Sequence, residues 1–157
     1  MNKKIVVVLD NIRSRENVGS IFRTSDAAGV TKLCLCGITP LPPHEKISKT
    51  ALGAELDIPW EHHKQTWRLL DNLRKDGYKI VALEKSDSAK DVFDLGLLGD
   101  KIVLVLGNEV DGLSPEIIKR SDVVAVIPMM GKKESLNVSV AFGIAVYQIA
   151  LKYSKNT

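Results

Sequence analysis

The sequence predicts an α/β fold with a mostly parallel sheet of five or six strands, flanked by helices on both faces. Solid runs of valine, isoleucine and leucine alternate along the chain with helical patterns. The runs lack polar alternation, as is typical of strands that helices cover on both faces. The length of 157 residues, with 45% hydrophobic and 26% charged residues, fits one globular domain and excludes disordered and fibrous classes.

The first elements alternate strand and helix. Residues 5–9 form an apolar β-branched run that predicts a buried strand, and residues 18–28 show a helical pattern that stops at Gly29. A second strand is predicted over residues 32–36. The three prolines of residues 37–43 exclude regular structure there, so we expect a loop.

The middle of the chain continues this alternation. A short helix is predicted over residues 45–52 and a short strand over 58–61. Residues 66–76 show helical spacing, and Gly77 is placed to end that helix. Residues 79–83 are apolar again and predict the next strand.

The last part of the chain carries the clearest strand patterns. Residues 101–106 predict a buried strand that leads into the glycine-bounded loop 107–112. A helix is predicted over 114–120, because Ser114 is a good N-cap and Pro115 suits the first helical position.

A final strand, loop and helix follow. The strand is predicted over residues 123–127, the loop over 128–134 and the helix over 136–153. Along this helix apolar residues recur with helical spacing, at Val140, Ile144, Tyr147 and Leu151.

The cysteines and the apolar runs indicate the compartment. Cys34 and Cys36 are too few for a disulfide framework, and their i, i+2 spacing on a strand puts both on one face. We expect core thiols in a reducing compartment. The run 5–9 stops at an aspartate, too short for a signal peptide, and the longest apolar stretch, 138–151, lacks the ~18–20 residues that cross a bilayer. The sequence predicts a soluble, cytoplasmic protein with no membrane span.

Positive charge is concentrated at the two ends of the chain. The formal net charge is +3, but residues 1–32 and 131–157 each carry +3, whereas residues 33–130 carry −3. If the two ends meet in space, they form one basic face suited to phosphates. Random scatter of surface charge is the alternative explanation.

Three polar segments follow predicted strands, where ligands bind in parallel sheets. They comprise residues 10–19, which lead to Arg23 on the next helix, residues 107–112 and residues 128–137. Each has a purely structural alternative. Asn17 could cap a helix in a solvated loop, the glycines of the second segment could serve tight turns, and Ser135 or Asn137 could be a plain N-cap.

Other site types find little support. No G-x-G-x-x-G follows the first strand, and the sequence around Gly131 lacks the spacing of a P-loop. His62 and His63 point to opposite sides of a strand and no cysteine lies nearby in the sequence, so we expect no metal site. Trp60 and Trp67 are expected to pack rather than to stack on bases.

Taken together, the three polar segments resemble the three signature motifs of the SpoU-type (TrmH-like) RNA ribose 2′-O-methyltransferases of the SPOUT superfamily. The first motif matches residues 17–24, NVGSIFRT, and the second matches residues 105–114, VLGNEVDGLS. The third matches residues 127–131, IPMMG, and 135–141, SLNVSVA. Each motif alone is a weak signal, whereas the three in this order are highly specific.

The resemblance implies S-adenosylmethionine as methyl donor, a ribose 2′-hydroxyl of tRNA or rRNA as acceptor, a homodimer and a C-terminal trefoil knot. It implies a cofactor site formed by Leu83, Leu106, Gly107, Asn108, Ile127, Pro128, Met129 and Leu136. The implied catalytic residues are Glu109, Ser135 and Asn137, with Arg23 and Asn17 beside the target ribose. Because a guanidinium stays protonated, we expect Arg23 to clamp a phosphate rather than to act as the base.

The resemblance also bears on how RNA is held. Many relatives carry an additional RNA-binding domain, whereas here we expect residues 1–157 to form a single methyltransferase domain with no separate RNA-binding extension. Phosphate contacts would then come from Arg13, Arg15, Lys132 and Lys133. Two alternatives remain, a non-catalytic RNA-binding module that retains the fold and an enzyme that methylates a base nitrogen.

Overall fold

The protein is built on one seven-stranded sheet in which every neighbouring pair of strands is parallel. A computed structural model describes the backbone of residues 3–154 and the side chains of residues 3–152. The strands are β1 Lys4–Asp10, β2 Lys32–Cys36, β3 Trp60–His63, β4 Lys79–Leu83, β5 Lys90–Asp91, β6 Lys101–Gly107 and β7 Val123–Val126. Their order across the sheet is β3-β2-β1-β6-β4-β7-β5. The predicted α/β class is confirmed.

The described part of the chain also contains six α-helices and one 3₁₀ turn, of which all but the last helix lie between strands. The helices are α1 Arg15–Ala28, α2 Glu45–Ala51, α3 Ala54–Asp57, α4 Thr66–Lys75, α5 Pro115–Ile118 and α6 Val138–Ser154, and the 3₁₀ turn is Val92–Asp94. None of these helices combines the length and the apolar character that a bilayer span needs.

Most predicted elements are present, and three of the differences concern short elements. The sheet has one strand more than the five or six expected, because β5 has two residues and leaves no pattern in the sequence. Strand β3 begins two residues later than predicted, and α3 was not predicted because it is only four residues long. Short elements of this kind are fixed by tertiary contacts rather than by periodicity.

Helix α1 shows how local chemistry sets an element's ends. Its N-cap is Ser14, whose hydroxyl accepts a hydrogen bond from Asn17 N at 3.1 Å, so the helix starts three residues earlier than predicted. It ends at Gly29 as predicted, with φ at 78°, a conformation that suits glycine. Asn17 is therefore not the cap, and its side chain is available for other contacts.

The two faces of the sheet carry separate apolar layers. Along β1, Ile5, Val7 and Leu9 pack into the layer that contains α1, α2 and α6, whereas Val6 and Val8 pack into the layer that contains α4 and α5. This alternation follows from the period of two in a strand. Because both faces are covered, every central strand reads as a continuous apolar run.

Cys34 and Cys36 lie side by side in the second of these layers. Both are free thiols and fully buried, as predicted from their spacing. Burial raises the pKa of each thiol to about 12, because a thiolate would lose its hydration there. They therefore act as small core residues.

The apolar residues noted with helical spacing on α6 lie mostly on its exposed side. Val140, Tyr147 and Leu151 are 51%, 39% and 56% exposed, whereas Phe142 and Val146 are buried in the core. The helix is apolar nearly all round, so two stripes with helical spacing exist, and periodicity alone does not tell which one faces the sheet. The stripe selected from the sequence is the outer one.

Candidate functional site

A cavity of about 550 Å³ opens beyond the carboxyl ends of β4, β6 and β7. We call it the strand-end cavity. All eight predicted cofactor residues line it: Leu83, Leu106, Gly107, Asn108, Ile127, Pro128, Met129 and Leu136. Further lining residues are Glu84, Lys85, Glu109, Val110, Asp111, Gly112, Val126, Glu134, Ser135, Val138 and Ala141. The volume lies within the range of small-molecule sites, ~300–1,000 Å³.

The loop after β6 is shaped by two glycines. A Cβ on Gly107 would lie 2.6 Å from the backbone C and O atoms of Gly112, closer than real carbon atoms approach. Gly112 has φ at 64°, and a Cβ there would meet the carboxylate of Glu84. The glycines do serve a tight turn, as the structural alternative held, but this turn forms a wall of the cavity.

Asn108 holds the same loop from within. Its side-chain oxygen accepts hydrogen bonds from Val110 N at 2.9 Å and Asp111 N at 2.7 Å, and its side chain is buried. A short asparagine side chain is well suited to satisfy two backbone donors in such a turn. The loop is thus fixed before any ligand binds.

Glu84 fastens this loop to the end of β4. Its Oε2 accepts a hydrogen bond from Leu113 N at 2.6 Å, and its Oε1 accepts one from Lys85 N at 3.0 Å. Glu84 is not among the site residues predicted from the sequence, although Glu84 directly follows a predicted strand. The rule that ligands bind at the carboxyl ends of strands could have found it.

Three predicted catalytic residues from three distant segments form one hydrogen-bonded chain at the mouth of the cavity. Asn137 Nδ2 donates to Asn17 Oδ1 at 3.2 Å, and Asn17 Nδ2 donates to Glu109 Oε1 at 2.9 Å. Ser135 lines the cavity beside them. The three segments therefore converge, as their resemblance to known motifs implies.

Asn137 has a structural duty as well. Its Oδ1 accepts hydrogen bonds from the backbone N and hydroxyl of Ser139 at 2.9 Å and 2.6 Å, at the start of α6. This is the geometry of a helix N-cap. The alternative that Asn137 caps a helix is confirmed, and the same side chain also reaches α1.

Arg23 does not line the strand-end cavity of this chain. It is exposed and lies in a second cavity, of about 610 Å³, between α1, α2 and α6, which we call the helix cavity. The helix cavity is lined by Ser20, Arg23, Thr24, Ala27, Lys49, Thr50 and Tyr147. Asn17 and Arg23 are six residues apart on α1 and therefore point in different directions around the helix.

The predicted RNA-binding residues are all on the surface. Arg15, Lys132 and Lys133 are exposed, and Arg13 forms an exposed 3.4 Å ion pair with Asp111. The two basic ends of the chain also meet, because α1 packs against α6. A basic face built from both ends is therefore possible in this fold.

One premise of the expectation that there is no metal site, the absence of a cysteine near the histidines, is wrong in the folded chain. Each of Cys34, Glu61 and His63 offers a ligand atom, and the three atoms lie within 4.8 Å of one another, so a cysteine does lie near His63. Glu61, however, already accepts from Lys32 Nζ at 2.7 Å and contacts His63 Nε2 at 2.6 Å. Lys32 first, then His63, hold the pKa of Glu61 below its usual value. The group therefore forms an ion-pair network.

The tryptophans pack largely as expected. Trp60 packs against the core layer on the α1 side of the sheet. Trp67 is partly exposed, and the guanidinium groups of Arg68 and Arg120 each lie 5.3 Å from its ring centre. Cations already cover this ring, so it does not offer a free platform for a base.

Comparison with known proteins gives a family. A sequence model of the SpoU rRNA Methylase family matches residues 4–147. Over 144 residues the chain is 35% identical to the 23S rRNA (guanosine-2'-O-)-methyltransferase RlmB of Xylella fastidiosa, a match that covers 92% of this chain and 57% of that protein. The chain thus spans little more than half the length of this curated relative.

Solved structures show the same fold. The TrmH/SpoU tRNA modifying enzyme of A. aeolicus superposes with a TM-score of 0.88 at 31% identity, over 99% of this chain and 78% of that one. The AdoMet-bound rRNA methyltransferase of Sinorhizobium meliloti superposes with a TM-score of 0.89 at 29% identity, over 98% of this chain and 57% of that one.

Proposed function

The chain belongs to the SpoU rRNA Methylase family, and from this premise we propose that it transfers a methyl group from S-adenosylmethionine to a ribose 2′-hydroxyl of tRNA or rRNA. The observation that carries the proposal is the hydrogen-bonded chain of Asn137, Asn17 and Glu109 at the mouth of the strand-end cavity. It joins three segments far apart in sequence beside a cavity of suitable size.

The chemistry of the cavity fits the proposed cofactor. The side chains of Leu83, Leu106, Ile127, Met129 and Leu136 supply an apolar wall for an adenine ring. Four carboxylates, those of Glu84, Glu109, Asp111 and Glu134, face a single lysine, Lys85, around the same cavity. This surplus of negative charge favours a cationic ligand. S-adenosylmethionine, when bound, supplies a methyl group activated by its sulfonium charge.

The polar chain would orient the acceptor. A 2′-hydroxyl is a poor nucleophile until its proton leaves, so the protein must hold the oxygen in line and give the proton an acceptor. Asn17, Ser135 and Asn137 offer hydrogen-bonding groups for the hydroxyl, and the Glu109 carboxylate lies next to them. We propose that these four residues position the ribose.

Arg23 has a different part in the proposal. A guanidinium remains protonated at neutral pH, so Arg23 would bind a phosphate and stabilise developing negative charge. Since it lies in the helix cavity, it would act at the strand-end cavity of a second subunit. The exposed apolar side chains of Val140, Tyr147 and Leu151 on α6 support a homodimer that brings the two cavities together.

The proposal also covers the knot, the cellular location and the contacts to RNA. We propose a trefoil knot near the C-terminus, on the ground of family membership, and a cytoplasmic location, which the two free thiols favour. Arg13, Arg15, Lys132 and Lys133 are the proposed surface contacts to RNA phosphates. Arg13 and Arg15 shortly precede Asn17 in the sequence, and Lys132 and Lys133 shortly precede Asn137, so both pairs come close in sequence to the hydrogen-bonded chain.

One experiment tests the reaction. The protein is incubated with total cellular RNA and S-adenosylmethionine labelled in the methyl group, and alkali-resistant positions are mapped, because a methylated 2′-oxygen protects the next phosphodiester. We expect label at an alkali-resistant position in tRNA or rRNA. Label at an alkali-sensitive position would indicate base methylation, and RNA binding without label would favour the non-catalytic module. Either result would overturn the proposal.

The dimer is tested separately. Val140→Asp places a charge on the exposed face of α6, and we expect sedimentation to show a monomer where the unchanged protein is a dimer. Asp87→Asn, at an exposed residue outside α6, is the control. A monomeric unchanged protein that is fully active would contradict the dimer.

A further inference from the structure

We infer that the helix cavity is a binding site for the phosphodiester backbone of the RNA substrate, and that Lys49 is its second cationic contact, beside Arg23. The inference rests on the proposed function and assigns a residue of α2 that the three motifs do not contain. It concerns the strand that flanks the target nucleotide rather than the reacting atoms.

The chemistry of the cavity points to an anion. Its lining contains two cations, Arg23 and Lys49, and no carboxylate, together with four residues that carry a hydroxyl group: Ser20, Thr24, Thr50 and Tyr147. Hydroxyl groups and cations together are the usual partners of phosphate oxygens. The strand-end cavity has the opposite composition, with four carboxylates and one lysine.

Neither cation is neutralised by the protein. In the described part of the chain, the side chains of Arg23 and Lys49 form no ion pair or hydrogen bond. By contrast, Arg13, Arg74 and Arg120 each pair with an aspartate. Two unpaired cations beside one cavity repel each other unless an anion lies between them.

The packing of α2 on α1 holds Lys49 in place. A Cβ on Gly19 would overlap Thr50 Oγ1 and the backbone oxygen of Ile47, so only glycine allows this close approach. Thr50 Oγ1 also donates a hydrogen bond to the backbone oxygen of Glu16 at 2.9 Å. The two helices are thus locked, and the cationic side chains of both face the same space before RNA arrives.

The position of the cavity favours a polymer over a free phosphate ion. It is wide, about 610 Å³, and open, with both cations exposed. Its wall on the α6 side is Tyr147, which belongs to the exposed apolar face. An isolated phosphate would be weakly held on such an open surface, whereas a phosphodiester chain anchored at other basic residues would be held at several points.

The test compares Lys49→Ala with Lys46→Ala, an exposed lysine on the same helix outside the cavity. The affinity for bulk tRNA and rRNA is measured over a series of KCl concentrations. For Lys49→Ala we expect binding to weaken about fivefold to tenfold, and the slope of log affinity against log salt to fall by about 0.7–0.9. KM for RNA should rise with little change in kcat or in cofactor affinity, whereas Lys46→Ala should match the unchanged protein.

Lys49→Arg keeps the charge and should keep the salt slope. An unchanged slope in Lys49→Ala, a slope lost equally in Lys46→Ala, or a slope lost in Lys49→Arg would each overturn the inference. Failure of the proposed function is distinguishable, because it appears as absence of methyl transfer by the unchanged protein. If the unchanged protein methylates RNA and Lys49→Ala binds RNA normally, the inference about the helix cavity is wrong and the proposed function stands.

Discussion

The two cavities of the molecule differ in whether their polar side chains are paired within the protein. In the strand-end cavity the polar groups are paired within the protein: Glu84 with the backbone at Leu113, and Asn17 with Glu109 and Asn137. In the helix cavity, Arg23 and Lys49 have no protein partner among the described residues. The difference indicates that the first is preorganised for one small ligand, whereas the second attracts a polyanion by charge.

The largest effect is expected for Arg23→Ala, which should impair methyl transfer without impairing cofactor binding. If Arg23 acts on the acceptor only, Arg23→Ala should lower methyl transfer by about 10²–10³-fold, the usual loss for one charge-stabilising donor. Cofactor affinity should stay within about threefold, because Arg23 does not line the strand-end cavity of its own chain and is proposed to contact the RNA rather than the cofactor. Transfer is followed with labelled cofactor and affinity by calorimetry. Unchanged turnover, or a large loss of cofactor affinity, would contradict the division between the cavities.

The converse experiment changes the wall of the strand-end cavity. In Gly107→Ala the new Cβ would lie 2.6 Å from the backbone of Gly112, so the loop must shift. Overpacking costs ~1–3 kcal/mol, which corresponds to a loss of cofactor affinity between about fivefold and about 150-fold if the shift falls on the site. Affinity for RNA should hardly change.

Gly131→Ala is the control for this experiment, since a Cβ there meets nothing within 4 Å. Gly131 also lies in a loop near the strand-end cavity, so the general effect of Gly→Ala on the entropy of the unfolded chain is the same in both variants. Equal losses in Gly131→Ala and Gly107→Ala would show that the close contact at Gly107 is unimportant.

A smaller effect is expected for Glu84→Gln. The substitution keeps the shape but removes the charge from the 2.6 Å bond to Leu113 N. A bond to a charged group is worth about 1 kcal/mol more than a neutral one, so cofactor affinity should fall by about threefold to tenfold. Asp87→Asn, an exposed carboxylate on the following loop, provides the comparison. Equal cofactor affinity of the two variants in calorimetry would contradict a role for Glu84 in cofactor binding.

The smallest effect at neutral pH concerns the sheet that supports both cavities. Burial raises the pKa of the Cys34 and Cys36 thiols to about 12, above an ordinary value of 9.0. The thiols therefore favour the folded state fully below pH 9, and this contribution is lost as the pH rises from about 9 to about 12. Denaturant unfolding at several pH values should show this decline, and the double variant Cys34→Ala, Cys36→Ala should show less of it.

The sequence predicted the strand-end cavity better than the helix cavity for a physical reason. The family resemblance implied Leu83, Gly107 and Ile127, and these residues lie at or just beyond the carboxyl ends of β4, β6 and β7. Because the ends of parallel strands meet at one edge, sequence position predicts spatial position there. The place of Arg23 depends instead on how α1 rotates against α2 and α6. Such packing leaves no periodic signal when a helix, like α6, is apolar on both sides.

Two other misses have the same origin. Cys34 reaches Glu61 and His63 because β2 and β3 pair in register, and strand order is not written in local sequence. Glu84 looked like an ordinary surface acid until its bond to Leu113, twenty-nine residues away, was visible. Contacts between distant segments are the part that only the folded chain reveals.

The double role of Asn137 restricts which residues can replace it. A helix cap is normally interchangeable, since serine, threonine and aspartate serve nearly as well as asparagine. Here the oxygen of the amide caps α6 while its nitrogen reaches Asn17, so an exchange that preserves stability still removes a donor. Selection for stability and selection for catalysis therefore cannot act independently at this position. Asn137→Asp should give a protein that folds well but no longer aligns Asn17 through this hydrogen bond.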